Sequence, residues 1–197
     1  MRLLLFRHAE TAWTVTGQHT GRTDLELTPE GEAQARATAT LFDRVLGDAR
    51  LAELYSSPRK RALRTAALAL STSLTPVVTP LLAEVDYGEY EGLTPAQIRS
   101  RSPGWNLWEN GCPGGETVER AAERADEFIR LLASRPDGEV VCAVSHGHLI
   151  RVLAARLLGL PAREGRLFTI KTASLAELVR VEGRYALSRW NLTHSTQ

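Results

Sequence analysis

Leu3-Leu4-Leu5-Phe6-Arg7-His8 is the stretch on which the reading of the fold turns. Four consecutive apolar residues, ended by a cation and an imidazole, have the pattern of a strand covered on both faces, with polar chemistry at its carboxyl end. Two further runs end the same way. Leu51 to Ser56 leads into Ser57-Pro58-Arg59-Lys60-Arg61, and Glu139 to Ser145 leads into Ser145-His146-Gly147-His148. Thr75 to Thr79, broken by Pro76 and bounded by Pro80, is read as another short strand.

Helical signals lie between these runs. Thr28-Pro29-Glu30 has a hydroxyl N-cap and proline at the first helical position, opening an Ala-rich helix to about Leu46. Arg61 to Leu70, Thr117 to Ala133 and the segment from His146 to Leu158 are read as further helices. Leu167 to Ile170, Leu175 to Val181 and Tyr185 to Trp190 are read as extended segments closing the chain, the last two forming a hairpin about Glu182-Gly183-Arg184. Strands alternating with helices predict a three-layer α/β/α sandwich with a mostly parallel central sheet. The 197 residues are expected to form a single domain. Residues 85–116, rich in glycine and holding the capping-box pattern Thr94-Pro95-Ala96-Gln97, are expected to form an excursion of loops and short helix over the site.

Composition narrows the function classes. A formal net charge of +1 gives no global field for nucleic acid or a membrane surface, and neither is expected as a partner. Nearly all the basic residues are arginine, Lys60 and Lys171 being the only lysines, and a guanidinium fork suits phosphate or carboxylate. Cys112 and Cys142 are too far apart, and too poor in histidine neighbours, for a zinc site, so no metal is expected and both thiols are read as free. The apolar run after Met1 is too short for a signal peptide, and the expected location is cytoplasmic.

In open α/β sheets, ligands bind outside the carboxyl ends of the strands. The three clusters at those ends bring together two histidines and several arginines. Guanidiniums can neutralise phosphoryl oxygens while an unprotonated imidazole attacks phosphorus. The motifs themselves carry a resemblance. Leu5-Phe6-Arg7-His8-Ala9-Glu10-Thr11 is similar to the Arg-His-Gly-Glu signature of the histidine phosphatase superfamily, the phosphoglycerate-mutase-like proteins. Ser57 to Ala66, Glu84-x-x-Tyr87-Gly88-x-x-Glu91-Gly92 and Ser145-His146-Gly147 resemble its later motifs in order and spacing.

That resemblance implies catalysis by five residues. His8 matches the nucleophile that forms a phosphohistidine. Arg7, Arg61 and His146 match the groups that hold the phosphoryl oxygens, with His146 expected to donate as a cation from a helix start where backbone N–H groups favour an anion. Glu84 matches the general acid, which protonates the leaving oxygen and then activates water. No cofactor is implied. Ala9 departs from the family's glycine, and Thr14 stands where mutases carry an asparagine that reaches the phosphate.

Thr14, Thr20, Gly21, Gly147 and Trp105 are read as substrate-binding residues, within or beside segments 17–24 and 105–112, which resemble those of sedoheptulose-bisphosphatase-like enzymes and broad-specificity acid phosphatases. Arg59 has two readings, an exposed arginine or a contact to a second phosphate. His148 and Arg151 are read as supporting residues. The expected substrate is a small phosphorylated metabolite, and the closing hairpin or an apolar edge strand offers a surface for a homodimer. Two alternatives stand beside the phosphatase: a cofactor-dependent phosphoglycerate mutase, disfavoured by the short, arginine-poor segment after the acid-bearing loop, and an idle scaffold, disfavoured by the full catalytic set.

Overall fold

The computed structural model describes residues 1–194. Six strands form one sheet in the order β3-β2-β4-β1-β5-β6: β1 (Arg2–Arg7), β2 (Leu51–Ser56), β3 (Val77–Val78), β4 (Val140–Ser145), β5 (Leu175–Val181) and β6 (Arg184–Leu192). β3, β2, β4 and β1 run parallel, whereas β5 and β6 are antiparallel to their neighbours.

Alternation along β1 shows how the layers are made. Leu3 and Leu5 join a core with residues of α6 (Val118–Ala133) and α7 (Gly147–Leu157). Leu4 and Phe6 point the other way, into a second core with α2 (Pro29–Leu46) and α3 (Lys60–Ala69). All four side chains are fully buried, each contributing roughly 2 kcal/mol by removal from water. The uninterrupted apolar run is therefore a consequence of helices on both faces, and the three-layer α/β/α architecture follows.

Local chemistry fixes the helix starts. Thr28 Oγ1 accepts the Gly31 N–H at 2.9 Å, with Pro29 in the first turn of α2. Thr94 and Gln97 cap α4 (Pro95–Arg101) reciprocally, as the sequence predicts. Two short helices in the described chain escape the sequence reading: α1 (Ala12–Thr16), just after β1, and α5 (Leu107–Asn110).

One closing segment differs from expectation. Leu167 ends a 3-10 turn, Ala162–Leu167, and residues 168–170 lie outside the sheet. Their carbonyls are taken by side chains instead: Trp190 Nε1 donates to Thr169 at 2.6 Å, and Arg7 Nη1 to Ile170 at 2.5 Å. Among the described residues no helix is long and apolar enough to cross a membrane.

Candidate active site

Parallel pairing of β1 with β4 places Arg7 opposite Ser145, so the polar residues after both strands emerge side by side. The His8 N–H donates to the Ser145 carbonyl at 3.0 Å. His8 Nδ1 lies 2.7 Å from the carbonyl of Ala9. A carbonyl can only accept, so Nδ1 carries the proton and Nε2 keeps its lone pair. Burial, followed by the charges of Arg61 and Arg7, pushes the His8 pKa well below 6.5 against the raising effect of the Ala9 carbonyl. The imidazole is therefore neutral at neutral pH, as a nucleophile must be.

His146 lies beside it, the two rings 5.1 Å apart in an edge arrangement. Arg61 Nε donates to His146 Nδ1 at 3.2 Å, which leaves the imidazole proton on Nε2, directed at Ser57 Oγ 2.7 Å away. Burial, Arg61, His8, Arg7 and Arg59, in that order, draw its pKa well below 6.5. This corrects the expectation of a cationic His146: a guanidinium donating to one ring nitrogen forbids a proton there. The local positive charge resides on Arg7 and Arg61.

Arg61 is fully buried. Its Nη1 donates to the Thr23 carbonyl at 2.9 Å, and its Nη2 to those of Thr20 at 2.9 Å and Gly21 at 3.3 Å. The guanidinium thus ties α3 to the loop after α1. Arg7 is held more loosely. Besides the Ile170 carbonyl, the guanidinium lies flat against Gly147, where an added Cβ would stand 3.2–3.4 Å from its atoms. Arg7 Nε is buried without a partner among the described residues, a donor waiting for an acceptor.

Glu84 occupies the N-terminus of α7. Its Oε1 accepts from the N–H groups of Val85 and Leu149, both at 3.0 Å, and its Oε2 from that of His148 at 3.1 Å. The group seated at this helix start is therefore the Glu84 carboxyl, and the three donors fix its direction. Among the described residues no group of three or more His, Cys, Asp and Glu side chains is arranged to hold a metal ion.

These groups surround a cavity of about 270 Å³. Arg7, His8, Thr14, Thr20, Glu84 and Gly147 line it, with Arg61 and His146 fully buried behind. Thr14 is on the wall, but its hydroxyl is engaged in capping α1, donating to the Thr11 carbonyl and accepting the Thr11 N–H, both at 2.9 Å. Gly21, Arg59 and Trp105 are not on this wall. The Gly21 N–H goes to the Glu91 carboxylate at 2.9–3.0 Å, and Arg59 faces a separate groove beyond Glu84. Trp105 donates to the Gly111 carbonyl at 2.8 Å and packs edge-on against His19.

Among the wall residues outside the predicted site, four carry titratable side chains that bear on its chemistry: His19, Tyr87, His148 and Arg151. His19 stacks on Tyr87 with ring centroids 4.4 Å apart, and burial draws its pKa to about 4. Tyr87 Oη lies 2.6 Å from His148 Nδ1. His148 and Arg151, read from the sequence as supporting residues, both line the cavity. Tyr87 and His19 do fall in motif segments, and that was the available signal.

Residues 3–193 match the model of the histidine phosphatase superfamily, branch 1. The chain belongs to this superfamily. A histidine phosphatase of this kind is 46% identical over 176 residues to an acid phosphatase of Mycobacterium tuberculosis, covering 88% of this chain and 84% of that protein. It is also 34% identical to sedoheptulose 1,7-bisphosphatase of Saccharomyces cerevisiae, over 81% of this chain and 68% of that one. The solved structure of an open reading frame product from Mycobacterium tuberculosis superposes with a TM-score of 0.89 at 43% identity, covering 98% of each chain.

Proposed function

We propose that this phosphatase hydrolyses small phosphomonoesters, sugar phosphates foremost, through a phosphohistidine on His8 Nε2. The observation that carries the reading is the tautomer: the Ala9 carbonyl holds the proton on Nδ1, and the neutral ring keeps a lone pair on Nε2 beside two guanidiniums. Relatives named as an acid phosphatase and a sedoheptulose bisphosphatase support the substrate class.

In the first step the Nε2 lone pair forms the N–P bond as the ester P–O bond breaks. Arg7, through its unpartnered Nε, and Arg61 neutralise the phosphoryl oxygens, while the His146 Nε2–H is a third donor, able to turn from Ser57 to the phosphoryl group. Glu84 protonates the departing alkoxide. In the second step water attacks phosphorus, Glu84 takes its proton, and the N–P bond breaks with its electron pair returning to Nε2. His146 acts as a neutral donor throughout.

The two buried free cysteines support a cytoplasmic setting, where thiols stay reduced. The reading is tested by phosphate release from p-nitrophenyl phosphate and sugar phosphates in EDTA, with His8→Ala as control. Turnover lost in the control and unaffected by EDTA is expected. Phosphoryl exchange between phosphoglycerates without net phosphate release would identify a mutase instead. No turnover above the control would identify a scaffold.

A further inference from the structure

Three guanidiniums serve the site, and among the described residues none forms an ion pair with a carboxylate. Arg7 and Arg61 belong to the phosphoryl group. Arg151 is the third, half-buried on the cavity wall. It stands on α7 one turn beyond Gly147, about 6 Å along the axis, and helical side chains tilt toward the N-terminus. The guanidinium therefore reaches back toward the cavity.

Arg151 is held in place without being neutralised. Its Nε donates to the Gly165 carbonyl at 3.0 Å, and its Cζ lies 4.5 Å from the centre of the Trp108 ring. Trp108 in turn needs Gly165, where an added Cβ would stand 2.6 Å from the indole. A carbonyl and an aromatic face orient a cation but leave its charge uncancelled. Glu84 is the one carboxylate on the cavity wall among the described residues; it favours the charged guanidinium through space but forms no ion pair with it, its oxygens being bound to backbone N–H groups.

Building on the phosphatase reading above, we infer that the substrate carries a second anionic group, a phosphate or a carboxylate, received by Arg151. With a single phosphoryl group bound at His8, this guanidinium has two carbonyls and an aromatic face for partners but no anion in contact. A phosphate ester with a second anion a few carbons away satisfies both ends of the cavity, and Trp108 sets the plane in which the guanidinium meets it.

Calorimetric titration of the His8→Ala protein reads the inference without turnover, using fructose 1,6-bisphosphate, 3-phosphoglycerate and glucose 6-phosphate. At least one doubly anionic ligand should bind about tenfold or more tightly than the monophosphate, and which one does so distinguishes phosphate from carboxylate. Arg151→Met keeps the apolar stem against Trp108 and should weaken that ligand roughly 10- to 100-fold, the worth of a charge-assisted hydrogen bond. Glucose 6-phosphate should change less than about threefold. Arg151→Lys, which keeps the charge but not the fork, should retain part of the discrimination. Equal binding of all three ligands, or an equal loss on all three in the variants, would overturn the inference. Discrimination in binding without phosphate release by the wild-type enzyme would instead sink the hydrolase reading and leave the anion site standing.

Discussion

Lowering the pH from 7.5 to 5.5 should destabilise this fold severely, because four of its histidines are held neutral. Burial is the leading cause at His8, His19, His146 and His148, and neighbouring guanidiniums add to it at His8, His146 and His148. Each has a folded pKa below its unfolded value near 6.5, so below that pH the unfolded chain binds protons that the fold refuses. Stability is then fully present above pH 6.5 and falls as the pH drops, by about 1.4 kcal/mol per pH unit for each histidine still neutral in the fold. Four such residues amount to about 5 kcal/mol at pH 5.5, a large share of the 5–15 kcal/mol typical of a domain. Urea unfolding followed by tryptophan fluorescence at the two pH values measures the difference. His19→Phe preserves the stack on Tyr87 and should reduce the loss by one histidine's portion, about 1.4 kcal/mol. An unfolding free energy that is the same at both pH values would refute the reasoning, since it would mean these imidazoles accept protons inside the fold.

Two substitutions probe separate steps. Gly147→Ala places a methyl 3.2–3.4 Å from the Arg7 guanidinium, and kcat/KM should fall about tenfold, the cost of shifting a charge-assisted donor, with little change in the unfolding midpoint. Glu84→Gln removes the proton donor but keeps an oxygen for the α7 N–H groups. Turnover of sugar phosphates should drop by roughly 10²- to 10⁴-fold, while the burst of p-nitrophenol, whose leaving group needs no acid, survives in rapid-mixing kinetics.

The fold was legible where one residue pattern had one solution. Leu3 to Phe6 reads as a doubly covered strand because helices lie on both of its faces. The N-caps of α2 and α4 are local chemistry, decided within four residues. Residues 168–170 were misread because their carbonyls are satisfied by Trp190 and Arg7, donors that only the tertiary fold supplies.

The same division runs through the site. Arg7, His8, Arg61, Glu84 and His146 could be picked out because their motifs stand at strand ends or resemble a known pattern. Their protonation could not. The positive charge expected on His146 is excluded by one hydrogen bond from Arg61, 85 positions away in the chain. The helix start thought to await an anion is occupied by Glu84, and the Thr14 hydroxyl turns to its own helix cap. Arg151 looks like an ordinary helical arginine until Trp108 and Gly165 are packed around it.

The central claim is a covalent bond at one nitrogen. Rapid quench of the enzyme during turnover of a ³²P-labelled ester, followed by peptide mapping, should find phosphate on residue 8 that survives alkali and is lost in acid, and none in His8→Ala. Label on any other residue, or steady turnover with no protein-bound phosphate even in the Glu84→Gln enzyme, would contradict it.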